Sequence, residues 1–117
     1  NICTNQGLLA LGAVIYMSLL GKEGMPNLAK LCFNKAQYAA DQISKLDGFK
    51  LYSERRDFLK EFTVETSYSA KEIHKKLEDE GVLIDCLNEN LLKFSFTEKR
   101  SKDDIDELVQ LLKNYNE

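Results

Sequence analysis

The sequence has one histidine, one proline and no tryptophan among its 117 residues. The histidine, His74, lies in KEIHKKLEDE, where the neighbouring charges predict a solvated helix face. We therefore exclude a zinc site of the His-Glu-x-x-His type and a catalytic triad based on histidine. Phosphate-binding loops of the G-x-x-x-x-G-K-[ST] and G-x-G-x-x-G kinds are also missing from the sequence. The residue types alone predict no catalytic residue and no metal ligand.

Cysteines are few, and their pattern is not that of a secreted protein. Cys3, Cys32 and Cys86 are odd in number and far apart, and no two of them form a C-x-x-C motif. This pattern argues against a disulfide framework or a zinc site and favours a reducing, cytoplasmic location. We expect all three cysteines to pack as small hydrophobic residues.

The sequence also lacks an excess of positive charge. Sixteen lysines and arginines stand against 19 aspartates and glutamates, giving a net charge of −3. No nucleic-acid or anionic-membrane partner is predicted from this balance. The one long apolar run, Leu8–Leu20, has 13 residues, whereas a membrane span needs about 20. It also lacks a preceding basic segment, so we expect neither a membrane anchor nor a signal peptide.

The apolar run predicts a first helix, with Thr4 and Asn5 as possible caps and Gly21 as its stop. Its large apolar side chains surround the helix instead of forming one stripe, which is typical of a helix buried on all sides. A chain of this length has little material with which to cover such a helix. We therefore expect a partner, or another part of a longer chain, to cover it, and we expect the chain alone to self-associate through Leu8–Leu20.

The remaining sequence predicts an α+β fold. GKEG reads as a charged turn, and a second, amphipathic helix runs from Pro26 to a stop at Gly48. Period-two alternation then predicts strands in FKLYS, FLKEFTVET, VLID and LLKFSFT, with SERRD as a short hairpin link. Capping boxes predict two more helices, one beginning at Ser69 with Glu72 and one at Ser101 with Asp104. The order α-α-β-β-α-β-β-α indicates a two-layer domain, with a small, mainly antiparallel sheet carrying helices on one face.

Two basic segments are candidates for binding an anion. Glu54–Arg56 lies in the predicted hairpin link, where unpaired charges are common. Thr97–Arg100 lies between a strand and a capped helix, and helix N-termini attract anions. Arg100 is therefore the better candidate for a carboxylate or phosphate contact, with structural capping as the alternative reading of this segment.

Four stretches resemble one family. They are NICTNQGLLALGAVIYMSLLGKEGM, LCFNKAQYAADQISKLDGFKLY, FLKEFTVE and FTEKRSKDDIDELVQLL. Together they resemble, in order and spacing, the P-proteins of the glycine cleavage system, in particular subunit 1 of the two-subunit glycine dehydrogenase (decarboxylating). The segment after Val82 departs from the resemblance, because the family typically has a longer glycine-rich loop there.

The resemblance implies the C-terminal small domain of a fold-type I pyridoxal-phosphate enzyme, with residues 1–24 as a domain-connecting apolar helix and turn and residues 25–117 as the remaining α-β-β-α-β-β-α. It implies an enzyme that decarboxylates glycine and passes the aminomethyl group to the lipoyl group of H-protein. The Schiff-base lysine is expected on the partner, subunit 2, so no cofactor and no activity are expected in this chain alone. Thr4, Asn5 and Gln6 would then face the domain junction near the cofactor, with capping of the first helix as the alternative for Thr4 and Asn5.

Two other readings remain open. The chain resembles, more distantly, the small domain of other fold-type I enzymes such as aminotransferases and cysteine desulfurase-like proteins. A Schiff-base lysine encoded upstream in the same chain would favour that reading. The third is a non-enzymatic α+β interaction module, which an open reading frame extending well upstream of Asn1 would eliminate.

Overall fold

The computed structural model describes residues 6–53 and 55–115. These residues form three helices and four strands in the order α-β-β-α-β-β-α. The elements are α1 (Gln6–Ile43), β1 (Phe49–Leu51), β2 (Glu61–Thr66), α2 (Ala70–Asp79), β3 (Asp85–Cys86), β4 (Leu91–Ser95) and α3 (Lys102–Lys113). The backbone divides into two compact units, residues 1–30 and 31–117.

Helix α1 contains one break, at Gly21, where φ is 64° and ψ is −173°. This backbone conformation is open to glycine at little cost, and the predicted end of the first helix at Leu20 is confirmed as a break. The predicted charged turn is wrong, because residues 22–25 are helical and Pro26 lies inside α1. The second part of α1 ends at Ile43, five residues before the predicted stop at Gly48.

The first unit exposes its apolar side chains. Eight large ones have exposed fractions between 47% and 81%: Leu8, Leu9, Leu11, Val14, Ile15, Tyr16, Met17 and Leu19. By length and composition, α1 is the one described helix that could cross a membrane. The break at Gly21 divides it, however, and the 15 described residues Gln6–Leu20 rise by about 22 Å at 1.5 Å per residue. That length is below the roughly 30 Å of a bilayer core, and Lys22 and Glu23 follow directly.

The second unit is built on an antiparallel sheet in the order β1-β2-β4-β3. Phe49 pairs with Thr66, Phe62 with Phe94 and Val64 with Leu92. These residues lie on one face of the sheet and are buried, whereas Lys50, Glu61 and Glu65 on the opposite face are exposed. The period-two prediction is therefore confirmed in the two long strands.

The helices cover the buried face of the sheet. The second part of α1 contributes Ala36, Ala39, Ala40 and Ile43, and α2 contributes Ala70, Ile73 and Leu77. Helix α3 contributes the predicted stripe of Ile105, Leu108 and Leu112. Three phenylalanine contacts centred on Phe62, with ring centroids 5.1–5.8 Å apart, extend this core: the ring of Phe58 is tilted against it, and those of Phe94 and Phe96 are stacked. The predicted α+β sheet with helices on one face is confirmed.

Two connections differ from the expectation. The link between β1 and β2 runs over residues 52–60 and so is longer than SERRD, because Phe58 and its neighbours lie outside the strand. Of the predicted strand VLID, only Asp85 lies in a strand, because β3 consists of Asp85 and Cys86. Leu83 is 79% exposed, so this apolar residue of VLID does not lie on the buried face of the sheet.

The two predicted capping boxes have different outcomes. In α3 the box is complete: Ser101 Oγ accepts from Asp104 N–H at 3.0 Å, and Asp104 Oδ2 accepts from Ser101 N–H at 2.7 Å. In α2 only the Ser69 side is formed, accepting from Glu72 N–H at 3.4 Å. The Glu72 carboxylate instead accepts from Tyr115 Oη at 3.0 Å, which ties α2 to the end of α3.

Protonating Asp104 should weaken the fold. The hydrogen bonds from the Ser101 backbone and side chain hold the pKa of the Asp104 carboxyl below its usual 3.8. A carboxyl with a lowered folded-state pKa stabilises the fold above its unfolded pKa and loses this contribution as pH falls through the folded pKa. We expect the urea midpoint of the native chain to exceed that of Asp104→Asn above pH 4, and the gap to narrow as the pH falls below 3.8 and through the lowered folded-state pKa. Asp103→Asn, which removes a first-turn acid outside the box, is the control; an equal pH-dependent gap for both variants would contradict the assignment.

Candidate functional site

The segment Thr97–Arg100 forms a turn held by the second part of α1. Lys35 Nζ donates to Glu98 O at 2.8 Å and also to Arg100 O. Cys32 Sγ lies 3.7 Å from Glu98 Oε2 as a further donor. All three contacts join residues more than 60 positions apart. The backbone of Arg100 is therefore held by the side chain of Lys35.

The Arg100 side chain is available to a ligand. Arg100 is exposed and makes no ion pair within 4 Å with any residue of the described ranges 6–53 and 55–115. Its backbone N–H donates to Thr97 O at 3.3 Å, so the turn itself is closed. A guanidinium with a fixed backbone and an open side chain can bind a carboxylate or phosphate with two hydrogen bonds.

The N-terminus of α3 is less available than the sequence suggested. The capping box already satisfies backbone donors at Ser101 and Asp104, and the first turn carries the carboxylates of Asp103 and Asp104. Negative charge there repels a second anion, although it complements the helix dipole. Structural capping therefore accounts for the helix N-terminus. Arg100 alone remains as the candidate anion contact of this segment.

A groove of about 410 Å³ lies beside Arg100. It runs between the segment Gly81–Ile84, the end of β4 and the exposed side of α3. Seven apolar residues line it, Val82, Leu83, Ile84, Phe94, Phe96, Leu108 and Leu111, although polar atoms make up more of its exposed lining than apolar ones. Glu80, Asp104, Glu107 and Arg100 supply the charges. The volume falls within the range of ligand-binding clefts, and the lining offers both apolar side chains and charges to a ligand.

A second polar cluster supports the start of α3. Tyr38 Oη donates to Asp106 Oδ1 at 2.5 Å, and Lys102 pairs with the other carboxylate oxygen. The ammonium of Lys102 also lies 5.0 Å from the centre of the Tyr38 ring. Its hydrogen bond to Asp106 raises the pKa of Lys102, and the same bond, with that from Tyr38, lowers the pKa of Asp106. The cluster joins α1 to α3 beside the Thr97–Arg100 turn.

Sequence reasoning missed Lys35 as the residue that positions the turn. A signal was present, because Lys35 falls on the otherwise apolar stripe of the second helix, with Leu31, Cys32 and Ala39. A lysine at a core-spaced position indicates an amine with a fixed partner. The partner itself, a pair of carbonyl groups more than 60 residues away, is not encoded locally.

The other candidate residues do not join this site. Arg56, in the second basic segment, pairs with Asp41 of α1, and its carbonyl accepts from Gln37 at 3.4 Å. Thr4 and Asn5 lie outside the described residues. Gln6 is exposed at the start of α1, and its predicted place at a cofactor junction stays a prediction.

His74 is not on a fully solvated helix face. It is half-buried, and its Nδ1 atom is buried without a hydrogen-bond partner in the described part of the chain. The prediction was wrong because His74 follows Ile73 and precedes Leu77, which both face the core. Within residues 6–53 and 55–115, no group of three or more histidine, cysteine, aspartate or glutamate side chains could hold a metal ion.

The sequence is similar to curated proteins of one kind. It is 47% identical over 117 residues to the probable glycine dehydrogenase (decarboxylating) subunit 1 of Chloroherpeton thalassium, covering 97% of this chain. The match covers 26% of that relative. The chain therefore spans about a quarter of the length of the curated relatives it matches.

Solved structures show the same fold. A glycine decarboxylase (P-protein) of the glycine cleavage system, in inhibitor-bound form, superposes with a TM-score of 0.87 at 25% identity, covering 97% of this chain and 27% of that one. A mutant of C-DES, with glycine covalently linked to its pyridoxal-phosphate cofactor, superposes with a TM-score of 0.70. At 9% identity over 76% of this chain and 24% of that one, the second likeness concerns the fold alone. The expected similarity to fold-type I pyridoxal-phosphate enzymes is confirmed.

The match to a known family covers almost the whole chain. The family described as glycine cleavage system P-protein matches residues 1–112, which include every described element except the last residue of α3. With this match and the 47% identity to a subunit 1, the chain belongs to the glycine cleavage system P-protein family.

Proposed function

We propose that the chain is the C-terminal small domain of subunit 1 of a glycine dehydrogenase (decarboxylating). The whole enzyme would decarboxylate glycine and transfer the aminomethyl group to the lipoyl group of H-protein. The observation that carries the proposal is the family match over residues 1–112, together with the identity to subunit 1 proteins. The proposed location is the cytoplasm, which the free thiols of Cys32 and Cys86 support.

The described residues do not form a pyridoxal-phosphate site. The N-terminus of α3 is closed by its own capping box, and the amine of Lys35 donates to two backbone carbonyls. In the whole enzyme, bound pyridoxal phosphate would supply an electron sink for the carbanion that remains when carbon dioxide leaves. We place the Schiff-base lysine on subunit 2 and derive no chemical step through the cofactor in this chain. By itself, the 117-residue chain is then inactive.

The role of this chain in the enzyme would be to position one charge and to form interfaces. Lys35 holds the turn that carries Arg100, and the Tyr38–Asp106–Lys102 cluster ties α1 to the start of α3 beside it. Arg100 would contact a carboxylate or phosphate at the edge of the active site. The exposed apolar helix before Gly21 would be covered by the remainder of subunit 1 or by subunit 2.

Reconstitution tests the proposal. Full-length subunit 1 containing this chain is mixed with subunit 2, pyridoxal phosphate and lipoylated H-protein, and release of carbon dioxide from carboxyl-labelled glycine is measured. We expect release only when both subunits and H-protein are present, and none from the 117-residue chain. Absence of release from the complete mixture, with both subunits folded, would refute the assigned activity.

The same assay tests Arg100. A charge-assisted hydrogen bond contributes about 1.5–3 kcal/mol, so Arg100→Ala should lower kcat/KM by roughly 10- to 100-fold. Arg55→Ala is the matched control, since Arg55 is also exposed and makes no ion pair within 4 Å with a described residue. Equal kcat/KM for the Arg100 variant and the native enzyme would remove Arg100 from the site while leaving the assigned activity intact.

A further inference from the structure

Strand β4 is longer than its neighbour β3, which leaves part of its outer edge open. Strand β3 pairs only through Asp85 with Lys93 and Cys86 with Leu92. On the other side, β2 pairs along β4 as far as Ser95. The ladder with β3 therefore ends at Lys93, two residues before β4 ends.

The hydrogen-bond alternation shows which way the backbone of Ser95 points. Phe96 N–H donates to Lys60 O at 2.9 Å on the β2 side, whereas Leu91 O accepts from Leu87 N–H at 2.9 Å on the β3 side. In an antiparallel ladder, both groups of a residue point to the same neighbour, and successive residues alternate. The N–H and C=O of Ser95 therefore point to the β3 side. Among the described residues, neither group has a backbone hydrogen-bond partner there.

The open edge faces the groove beside Arg100. Ser95 is exposed and lines this groove together with the segment Gly81–Ile84, which leaves the sheet just where pairing stops. Leu83 is 79% exposed, and Ile84 and Leu111 are half-buried. An unpaired strand edge next to exposed apolar side chains is the arrangement that binds an added strand.

The charges that line the groove indicate which side chains an added strand would carry. Glu80, Asp104 and Glu107 line the groove against the single positive charge of Arg100. Asp104 is engaged with Ser101, which leaves Glu80 and Glu107 to interact with a bound chain. Neither of these two glutamates forms a salt bridge within 4 Å inside the described ranges. The groove therefore favours an apolar segment that carries basic residues.

We propose that the groove binds an extended segment of a partner polypeptide as an added β-strand. The segment pairs with the backbone of Ser95, places apolar side chains against Leu83, Ile84 and Leu111, and directs lysine or arginine side chains to Glu80 and Glu107. This proposal rests on the edge of β4 and on the groove, and it does not depend on the enzyme activity proposed above.

A designed peptide tests the backbone contact. The probe is a fluorescein-labelled ten-residue peptide of alternating valine and lysine, titrated with the 117-residue chain and followed by fluorescence anisotropy. Two backbone hydrogen bonds at about 1 kcal/mol each amount to roughly 10- to 30-fold in affinity. A peptide with N-methylated valines cannot donate to the Ser95 carbonyl but still accepts from the Ser95 N–H, so it loses one of these two bonds and should bind about fivefold more weakly. A valine–glutamate peptide should not bind; equal binding of all three peptides would overturn the proposal.

Variants of the chain locate the contact. Ser95→Pro removes only the outward-pointing N–H, and proline is tolerated at a strand edge. We expect it to weaken binding of the valine–lysine peptide fivefold or more, whereas Ser95→Ala leaves binding unchanged. Glu80→Gln with Glu107→Gln should weaken binding and reduce its salt dependence. Unchanged binding by both the double glutamine variant and a folded Ser95→Pro variant would overturn the site.

Two further outcomes are decisive. If Ser95→Pro does not fold, judged by its circular dichroism spectrum, the N-methylated peptide alone decides the backbone contact. If sedimentation shows that the chain self-associates, and if both Ser95→Pro and the peptide abolish this, then the occupant of the groove is a second copy of the chain. That result would overturn the partner polypeptide proposed here.

Discussion

Replacing Gly48 with alanine should lower the free energy of unfolding by about 2–5 kcal/mol. Gly48 has a φ of 76°, a conformation that costs an alanine about 1–2 kcal/mol. A Cβ at this position would also lie 2.3 Å from Tyr68 Cε2 and 2.6 Å from Ser67 Oγ. Tyr68 cannot move freely, because its ring packs against Phe49 at 5.8 Å and Tyr115 at 5.7 Å. Overpacking of this kind adds about 1–3 kcal/mol.

Gly81→Ala is the matched control for the Gly48 variant. Gly81 has almost the same φ, 78°, but a Cβ there would meet no atom within 4 Å. We expect it to lose only the 1–2 kcal/mol of the backbone conformation. Urea unfolding of the two variants measures the difference. If both variants lose the same free energy of unfolding, the contact with Tyr68 contributes nothing to the cost of the Gly48 substitution.

The second large effect is expected in the oligomeric state. We propose that the chain self-associates through Leu8–Leu20, since the exposed apolar side chains of this helix would otherwise remain in water. Burial stabilises by about 25 cal/mol per Å² of apolar surface, so a helix that is apolar on all sides gains from any partner. Light scattering at high concentration should report a dimer or larger species. A monomer under these conditions would contradict the proposal.

Charges placed on this helix should abolish the association. The double variant Leu11→Glu with Ile15→Glu puts two carboxylates on one side of the helix, where the native side chains are 56% and 51% exposed. Because both side chains are exposed, the substitution should leave the second unit folded. Lys22→Glu, beyond the break at Gly21, is the control: it changes the charge without removing an apolar side chain and should still associate.

Local features of the fold could be predicted from the sequence. Alternation in β2 and β4, the stripe of α3 and the caps at Ser69 and Ser101 each depend on residues a few positions apart. The break at Gly21 followed from one residue type. These predictions succeeded because period and capping are properties of a short segment.

Contacts between distant segments could not be predicted. The Tyr115 hydroxyl, 43 residues away, hydrogen-bonds the Glu72 carboxylate, which therefore does not complete the capping box of α2. Lys35 donates to carbonyls of the Thr97–Arg100 turn more than 60 residues away. The half-burial of His74 and the late start of β3 at Asp85 likewise depend on packing. Arg100 itself was identified from its sequence position, but the groove beside it was not.

The hydrogen bonds from Lys35 have a consequence for how the groove could change its width. They attach the backbone of Arg100 to the second part of α1, so the wall that carries this arginine is held by that part of the helix. On the opposite wall, Val82 N–H bonds to Leu77 O at 2.8 Å, but among the described residues no backbone hydrogen bond holds Leu83 or Ile84. If the groove widens on binding, we expect Leu83 and Ile84 to move, while the backbone of Arg100 stays in place.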